Sequence, residues 1–365
     1  MGQWAEARRW ASAAYTIRKD NLRPSDASTL EAQEQLIQIL RILGDFNLAS
    51  QEAQSLKRTL KSLHGRNHSL TLSAYRLVSV TFQDQNLLPP SLAAALKSFN
   101  GFKSLYASSE LDNRDLLLST ARLASVYTRV GEFDKAEALD FNLIKSFKRR
   151  GEEDSVDALK VLFRVSYAQR ALGKYNESEQ TARECYRRQS IVLGAKHIDA
   201  LKTYISIGLS LQAQRKFEPS LEVFEEIVDH CLERVGADHV YTFISTAHCA
   251  QSLAGVGRLE EAKERFEFAM RGFEGMDPRQ DLEVERCREG IATLLRISGS
   301  LNEAEEMYEL VLKNAKGQKG KEKEILNTAC WEGLTEIWKS RASEMHGKET
   351  KTCLKKAVKF AQQAL

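Results

Sequence analysis

The stretch GKYNES at residues 173–178 decides the fold, because related stretches follow it at a constant interval. They are RKFEPS at 215–220, GRLEEA at 257–262 and GSLNEA at 299–304, so each step is 42 residues. Earlier in the chain, GDFNLA begins at Gly44 and GEFDKA begins at Gly131, 87 residues later. That interval holds one ordinary repeat and one with three extra residues, with a degenerate unit at Asn86 between them. A fixed period of roughly 20–50 residues predicts an array of stacked structural repeats.

Three positions within these stretches recur for physical reasons. The first, which we call the corner, is suited to ending a helix in the left-handed conformation; the corners are Gly44, Asn86, Gly131, Gly173, Arg215, Gly257 and Gly299. A bulky column stands two places after the corner, at Phe46, Leu88, Phe133, Tyr175, Phe217, Leu259 and Leu301. A small column stands three places further, at Ala49, Ser91, Ala136, Ser178, Ser220, Ala262 and Ala304. Small side chains there predict that a second helix starts close to its neighbour.

A second small column lies seven residues before the corner, at Ser79, Ala124, Ser166, Gly208, Ala250 and Ala292. Apolar residues at eight and four places before the corner form one stripe on a first helix. Each repeat is therefore predicted to be a pair of antiparallel helices. Such a pair cannot bury its apolar faces alone, so stacking on both neighbours must remove that surface from water.

These columns resemble those of the tetratricopeptide-repeat family, and the period with LGxxH before the first helix is similar to that of kinesin light chains. The resemblance implies an all-α, right-handed α-solenoid of about eight stacked helix-turn-helix hairpins in a single domain, 1–365. The regular repeats are expected at about 26–67, 68–112, 113–154, 155–196, 197–238, 239–280 and 281–322, with degenerate ends at 1–25 and 323–365. Both ends stop within a repeat, so we expect a piece of a longer chain, or open ends able to self-associate.

Two of the seven histidines, His197 and His239, occupy equivalent places in LGAKH and VGADH. The same column reads Asp26, His68, Asn113, Ser155 and Asp281 in the other repeats. Asp, Asn and Ser accept hydrogen bonds from the free N–H groups at a helix start, so the column predicts N-caps, to within one residue. Adjacent hairpins are separated by roughly 8–10 Å, which is too far for two imidazoles to share one metal. No metal or cofactor is expected.

The resemblance places a concave groove along the first helices, at positions thirteen, ten, nine and six before the corner. Those positions supply the candidate partner-binding residues Arg76, Arg122, Lys160, Arg164, Lys202, Ser206, His248, Gln251 and Arg286. Their charge favours a protein or peptide partner with an acidic segment, which arginine can grip in a bidentate manner. Equally, these cations can pair with neighbouring carboxylates and serve only solubility, and both interpretations stay open. The Asn-Asn pair with which kinesin light chains hold peptide backbone is absent, so that clamp is not implied.

Composition excludes several classes of function. The net charge of +3 is too small to indicate nucleic acid, although Val311–Leu365 carries twelve basic and six acidic residues, a local +6. No apolar run is long enough for a membrane span and no signal peptide is recognisable. The six cysteines lie at least 18 residues apart, which favours reduced, buried thiols in a cytoplasmic protein.

Three functions remain open for such a chain. The first is a non-catalytic scaffold that binds a partner segment in the groove. The second is the ligand-sensing or autoinhibitory repeat region of a larger NTPase-type signalling protein, because similar repeats follow nucleotide-binding modules in fungal sensor proteins. The third is an enzyme on a repeat scaffold, centred on His248. The chain has no phosphate-binding GxxxxGK[ST] loop, HExxH or GxSxG motif, so we predict the scaffold and no enzymatic activity.

Overall fold

Helices of two alternating sets make up the structure, a computed structural model that describes residues 2–23, 25–107, 113–317, 321–345 and 348–364. The first helices are α2 (Ala27–Ile42), α4 (Ser69–Asp84), α6 (Arg114–Val130), α8 (Val156–Ala171), α10 (Ile198–Ala213), α12 (Val240–Gly255), α14 (Asp281–Ile297) and α16 (Lys321–Glu344). The second helices are α1 (Gly2–Asn21), α3 (Phe46–His64), α5 (Leu88–Leu105), α7 (Phe133–Arg149), α9 (Tyr175–Val192), α11 (Phe217–Arg234), α13 (Leu259–Glu274), α15 (Leu301–Asn314) and α17 (Lys348–Ala364). A short 3₁₀ helix, Ala315–Gly317, follows α15. All regular structure in these ranges is helical, which confirms the predicted all-α fold of stacked hairpins.

Two compact units divide the chain, and the boundary falls inside α9. Unit 1 is Met1–Thr181 and unit 2 is Ala182–Leu365. Consecutive helices pack on one another, as α4 does on α5 and α12 does on α13. First helices also contact the next first helix, in the order α4, α6, α8 within unit 1 and α10, α12, α14, α16 within unit 2. Among the described residues, none of the helices is both long and apolar enough to cross a membrane.

The predicted corners are confirmed by their backbone angles. All seven have a positive φ, from 58° at Asn86 to 92° at Gly131. Asn86 and Arg215 are the non-glycine residues that adopt this conformation within the described ranges. Each bulky residue two places later is the first residue of a second helix, from Phe46 in α3 to Leu301 in α15. The corner therefore sets the start of the second helix in every one of these repeats.

The two small columns meet, as their sequence spacing suggests. The hydroxyl of Ser178 donates a hydrogen bond to the backbone oxygen of Ser166 over 2.7 Å, and that of Ser220 donates to Gly208 over 3.1 Å. Ser91 makes the same bond to Ser79 over 2.7 Å. In the repeats of Gly131, Gly257 and Gly299, alanines occupy both columns and are fully buried, whereas in the first repeat Ile37 stands in the column of Ala49. In six of the seven repeats both helices therefore have a small side chain at this approach, with serine supplying a cross-helix hydrogen bond in three of them.

The last hairpin follows the same scheme. On α17, Ala357 is buried and Phe360 stacks on Trp331 of α16, with ring centroids 5.4 Å apart. The final helix therefore packs an apolar side on α16. The run 313–323 is α-helical up to Asn314, 3₁₀-helical over Ala315–Gly317 and α-helical again from Lys321, and its residues 318–320 lie outside the described residues.

Candidate functional site on the first helices

The histidines that open first helices act as N-caps. The Nδ1 atom of His197 accepts a hydrogen bond from the Asp199 N–H over 3.2 Å, and His239 does the same for Tyr241 over 3.2 Å. His68 caps α4 through the Leu70 N–H over 3.3 Å. In each case the ring nitrogen is the acceptor of one of the free N–H groups at the helix start. Their predicted structural role is confirmed.

The N-cap prediction shifts by one residue at the start of α14. Gln280 is the N-cap there and its side chain makes no capping bond. Asp281, the expected cap, is instead the first helical residue, and its carboxylate pairs with Arg279 over 2.9 Å. That ion pair keeps the carboxylate from the free N–H groups of the helix.

The candidate positions on the first helices fall into two classes. Residues nine places before a corner pack between hairpins, and in three repeats they meet the residue nine places after the previous corner. His248 stacks on Phe224 in this way, with centroids 5.3 Å apart, and Gly290 lies directly against the ring of Phe266. The positions thirteen, ten and six places before the corner are those that leave polar side chains at the surface. Four candidates, Arg122, Arg164, Ser206 and His248, belong to the packing class.

Arg164 is held inside unit 1 by Asp140. Its guanidinium is 16% exposed and forms a bidentate pair with the Asp140 carboxylate, which is fully buried; the Nε–Oδ2 distance is 2.7 Å. Burial raises the pKa of the Asp140 carboxyl, and the Arg164 charge opposes that rise. Asp140 stands nine places after the corner, where unit 2 has Phe224 and Phe266. The Arg164 guanidinium therefore already has a partner within the protein.

Arg122 is likewise engaged between hairpins of unit 1. It donates from Nε to the Ser79 hydroxyl over 3.0 Å, and from Nη2 to the Ser79 backbone oxygen over 2.8 Å and to Gln83 Oε1 over 2.6 Å. Burial lowers the pKa of this guanidinium to about 10, which still leaves it protonated at neutral pH. The residue links α6 to α4.

The other two candidates of unit 1 have no such partner. Arg76 is half-buried, and within the described ranges its side chain makes neither an ion pair nor a hydrogen bond. Burial lowers its pKa, although the carboxylates of Asp115 and Glu34 oppose the shift. Lys160 is exposed on α8. These two cations stand at different positions of their helices, ten and thirteen places before the corner.

Unit 2 presents the remaining five candidates on three neighbouring first helices. Lys202 on α10 is 41% exposed, lies 3.7 Å from Asp199 and sits over the Tyr241 ring at 5.7 Å. Arg286 on α14 is 47% exposed and lies 3.5 Å from Glu283. Gln251 is exposed on α12, with Oε1 3.5 Å from His248 Nδ1. Ser206 is buried, and its Oγ has no hydrogen-bond partner among the described residues.

Apolar side chains complete this surface and were not among the candidates from the sequence, which were all polar. Leu209, Ile244 and Ala247 stand at the same outward positions as Lys202, Gln251 and Arg286, and each is half-buried against the core. A selection of all residues in those columns would have found them. We call these six residues the unit 2 first-helix face: Lys202, Leu209, Ile244, Ala247, Gln251 and Arg286.

The charge around this face is uneven. Helix α12 contains no Asp, Glu, Lys or Arg, and α10 contains only Asp199 and Lys202. The adjoining second helices α11 and α13 carry six and five acidic residues, respectively. Helix α14, which carries Arg286, has four acidic and three basic residues, and one of the acids, Glu289, stands ten places before the corner.

Neither thiols nor metal-binding groups form a site in the described part of the chain. All six cysteines are buried thiols, as predicted. Burial raises the pKa of Cys249 to about 11 and that of Cys287 to about 12, so both thiols stay protonated and unreactive. No cluster of three His, Cys, Asp or Glu side chains that could hold a metal occurs within the residues described.

Comparisons with known proteins bear on the fold. No family model matches the chain, and no curated protein matches it in sequence. Among solved structures, the apo form of RapI matches with a TM-score of 0.64 at 10% identity, covering 92% of this chain and 98% of RapI. The Rap conjugation gene regulator of plasmid pLS20, solved with the Phr* peptide, matches with a TM-score of 0.53 at 12% identity over 97% of this chain and 96% of its own.

A third structure contains nearly identical repeats of a kinesin light chain from Podospora anserina. It matches with a TM-score of 0.51 at 15% identity, covering 58% of this chain and 98% of that one. The chain has the tetratricopeptide-repeat fold. The match to RapI covers 92% of this chain and therefore includes hairpins of both units.

Proposed function

We propose that this protein is a non-catalytic interaction module and that the unit 2 first-helix face binds a segment of a partner protein. One observation carries the proposal: half-buried apolar side chains alternate there with outward cations and an amide. Of the three helices, α12 has no charged residue and α10 has two, whereas α14 has seven. Surfaces that combine an apolar centre with a few polar groups are typical of peptide recognition. The fold of a Rap regulator solved with a peptide supports the same function.

The partner segment we expect carries apolar side chains flanked by carboxylates. Leu209, Ile244 and Ala247 supply apolar contact, while Lys202 and Arg286 attract carboxylates. Both cations are only weakly paired, at 3.7 Å and 3.5 Å, with exposed or half-exposed acids of their own helices. Exposed pairs of this kind contribute about 0–1 kcal/mol, so a ligand carboxylate can replace them at little cost.

Selection of peptides from a random phage-displayed library on the immobilised full chain tests this proposal. Selected peptides should be enriched in Asp or Glu beside apolar residues. Their affinity should fall at least about tenfold in Lys202→Glu and in Ala247→Glu, which place a carboxylate on the face. Ala213→Glu, at the exposed corner end of α10, is the matched control. Equal losses in Ala213→Glu and Ala247→Glu, or no selected peptide, would overturn the proposal.

Other expectations stay predictions: a cytoplasmic location, the absence of enzymatic activity, self-association through the ends of the array, and membership in a larger signalling protein. These expectations do not concern peptide binding by the unit 2 first-helix face, so the peptide selection does not test them.

A further inference from the structure

A cavity of about 760 Å³ opens in unit 1, away from the first-helix face of unit 2. Helices α3, α4 and α5 and the loop between α3 and α4 surround it. Leu72, Leu96 and Leu105 form its apolar wall, and the ring of Tyr75 lies among them. Pockets of roughly 300–1,000 Å³ are typical of small-molecule sites.

Cations alone supply the charge of this cavity. Lys61, Arg66 and Lys97 line it, and none of its lining residues is acidic. Within the described ranges, their side chains make no ion pair and no hydrogen bond. Across residues 53–107 there are seven Lys or Arg and one acidic residue, a net +6. That acid, Asp84, is bound to Arg41 with an Nε–Oδ2 distance of 2.5 Å.

Two ammonium groups crowd the single aromatic ring of the cavity. The Nζ of Lys57 lies 5.5 Å from the centroid of Tyr75, and that of Lys97 lies 5.6 Å from it. Burial and the neighbouring charge of Lys97 both lower the pKa of Lys57. Like charges repel one another, so a multiply charged anion in the cavity would offset the charge that Lys97 places near Lys57.

Neutral hydrogen-bonding groups also line the cavity, namely Asn67, Asn100 and Ser104. Lysine meets phosphate as a point charge, and arginine meets it with a fork of donors. Each phosphate monoester carries roughly 1.5 to 2 negative charges at neutral pH, so two of them match three or four cations within one small volume. A long peptide or a nucleic acid strand would instead need a stripe of cations.

We propose that this cavity binds a small ligand with two or more phosphate groups, such as a phosphorylated polyol or nucleoside. Lys61, Arg66 and Lys97 meet the phosphates, and the face of Tyr75 contacts the organic part. The site is independent of the proposed peptide-binding function, because none of its residues belongs to unit 2.

Isothermal titration of the full chain with inositol hexakisphosphate, ATP and inorganic tripolyphosphate tests the assignment. At about 50 mM salt, where exposed charges are only partly screened, we expect saturable one-to-one binding of at least one probe. Tighter binding of ATP than of tripolyphosphate, which has the same number of phosphates but no organic part, supports the contact with Tyr75. Saturable binding of tripolyphosphate alone supports the phosphate site but overturns that contact. No saturable binding of any probe overturns the proposal.

Matched variants separate this site from general cationic attraction. Lys61→Gln with Lys97→Gln should weaken binding at least about tenfold, whereas Lys145→Gln with Lys148→Gln, on exposed positions of α7, should leave it within about twofold. Ala93→Glu adds a carboxylate to the cavity wall and should abolish binding, while Ala93→Gln should retain most of it. Equal effects in the two lysine pairs, or in the two Ala93 variants, would overturn the assignment.

Discussion

The Asp140–Arg164 pair of unit 1 and two pairs of unit 2 fill equivalent inter-hairpin positions with opposite chemistry, although Ala53 and Leu77 keep the first such position of unit 1 apolar. In unit 1, Asp140 nine places after one corner pairs with Arg164 nine places before the next. In unit 2, the matching pairs are Phe224 with His248 and Phe266 with Gly290. In each of these three pairs the two residues are 24 positions apart in the sequence. The repeat therefore specifies which positions touch, while each pair of side chains decides how the space between hairpins is filled.

This difference is reflected in the cores of the two units. Within the described residues, the buried apolar side chains of unit 1 form four separate clusters, and this unit also contains the buried polar contacts of Arg122 and of the Asp140–Arg164 pair. Those of unit 2 form two clusters, and the larger one runs from Ala182 to Leu294. Aromatic rings at the shared position join successive hairpins into one apolar network.

The largest effect is expected when the polar pair of unit 1 is broken. Asp140→Ala leaves the Arg164 charge buried without a partner, which should lower the free energy of unfolding by about 3–5 kcal/mol. Asp140→Phe combined with Arg164→His transplants the unit 2 pair and should recover most of the loss. Urea unfolding followed by circular dichroism measures both. A double variant no more stable than Asp140→Ala would show that the pairs are not interchangeable.

A smaller loss of stability is expected when the contact between Gly290 and the Phe266 ring in unit 2 is overpacked. In Gly290→Ala, the new Cβ would lie 2.5 Å from Phe266 Cζ, so the ring must move. The expected cost is roughly 1–3 kcal/mol, although alanine is otherwise the better helix former. Phe266→Leu in the Gly290→Ala background should add less destabilisation than the same change in the wild type, as a double-mutant cycle of unfolding free energies would reveal. Additive effects would contradict the close contact.

Substitutions at the corners allow a further comparison of the two units, with smaller expected changes in stability. Arg215 holds φ at 60° in unit 2, whereas Asn86 does so in unit 1 at 58°. A left-handed conformation costs roughly 1–2 kcal/mol for most residues and less for Asn, so Arg215→Gly should stabilise the protein by about 1 kcal/mol and Asn86→Gly by less. Gly257→Ala meets no atom within 4 Å and should cost about 1 kcal/mol through backbone strain alone. Thermal unfolding midpoints rank the three variants, and a gain at Asn86 exceeding that at Arg215 would refute the role of the left-handed corner.

The smallest effect concerns the helix caps. In unit 1, Asn113 accepts hydrogen bonds from Asp115 and Leu116 over 2.8 and 3.3 Å, whereas His197 in unit 2 accepts one. His197→Asn should therefore raise the unfolding free energy by a few tenths to about 1 kcal/mol, and His197→Ala should lower it by a similar amount. Urea unfolding followed by circular dichroism measures both variants and the wild type. A His197→Ala variant as stable as the wild type would contradict capping by the ring.

Corner and cap residues were predictable because their constraints are local. A left-handed corner needs Gly or a tolerant residue, and a free helix start needs a side-chain acceptor, whatever surrounds them. His197 and His239 were accordingly assigned from their column alone. The same holds for Phe217 and Leu259, which begin their helices at a fixed distance from the corner.

The candidate groove residues were less predictable because a position on a helix does not reveal which neighbour it faces. Arg164 and Lys202 looked equally available in the sequence, yet only Lys202 is at the surface. The partner of Arg164, Asp140, lies on a different helix, and nothing local marks it as buried. The cavity around Tyr75 was missed for the same reason, since its lysines come from two second helices.

By itself, the sequence determined the period, the corners, the helix starts and the class of fold, because these follow from backbone geometry and from the burial of apolar stripes. The tertiary structure alone decided which charges are paired inside the protein and which remain at a surface. The physical reason is that the pairing of charges depends on distances between helices, and these are set by side chains on both partners at once. The two outcomes are Asp140 with Arg164, a pair of opposite charges inside the protein, and Lys61 with Lys97, two like charges that line an open cavity.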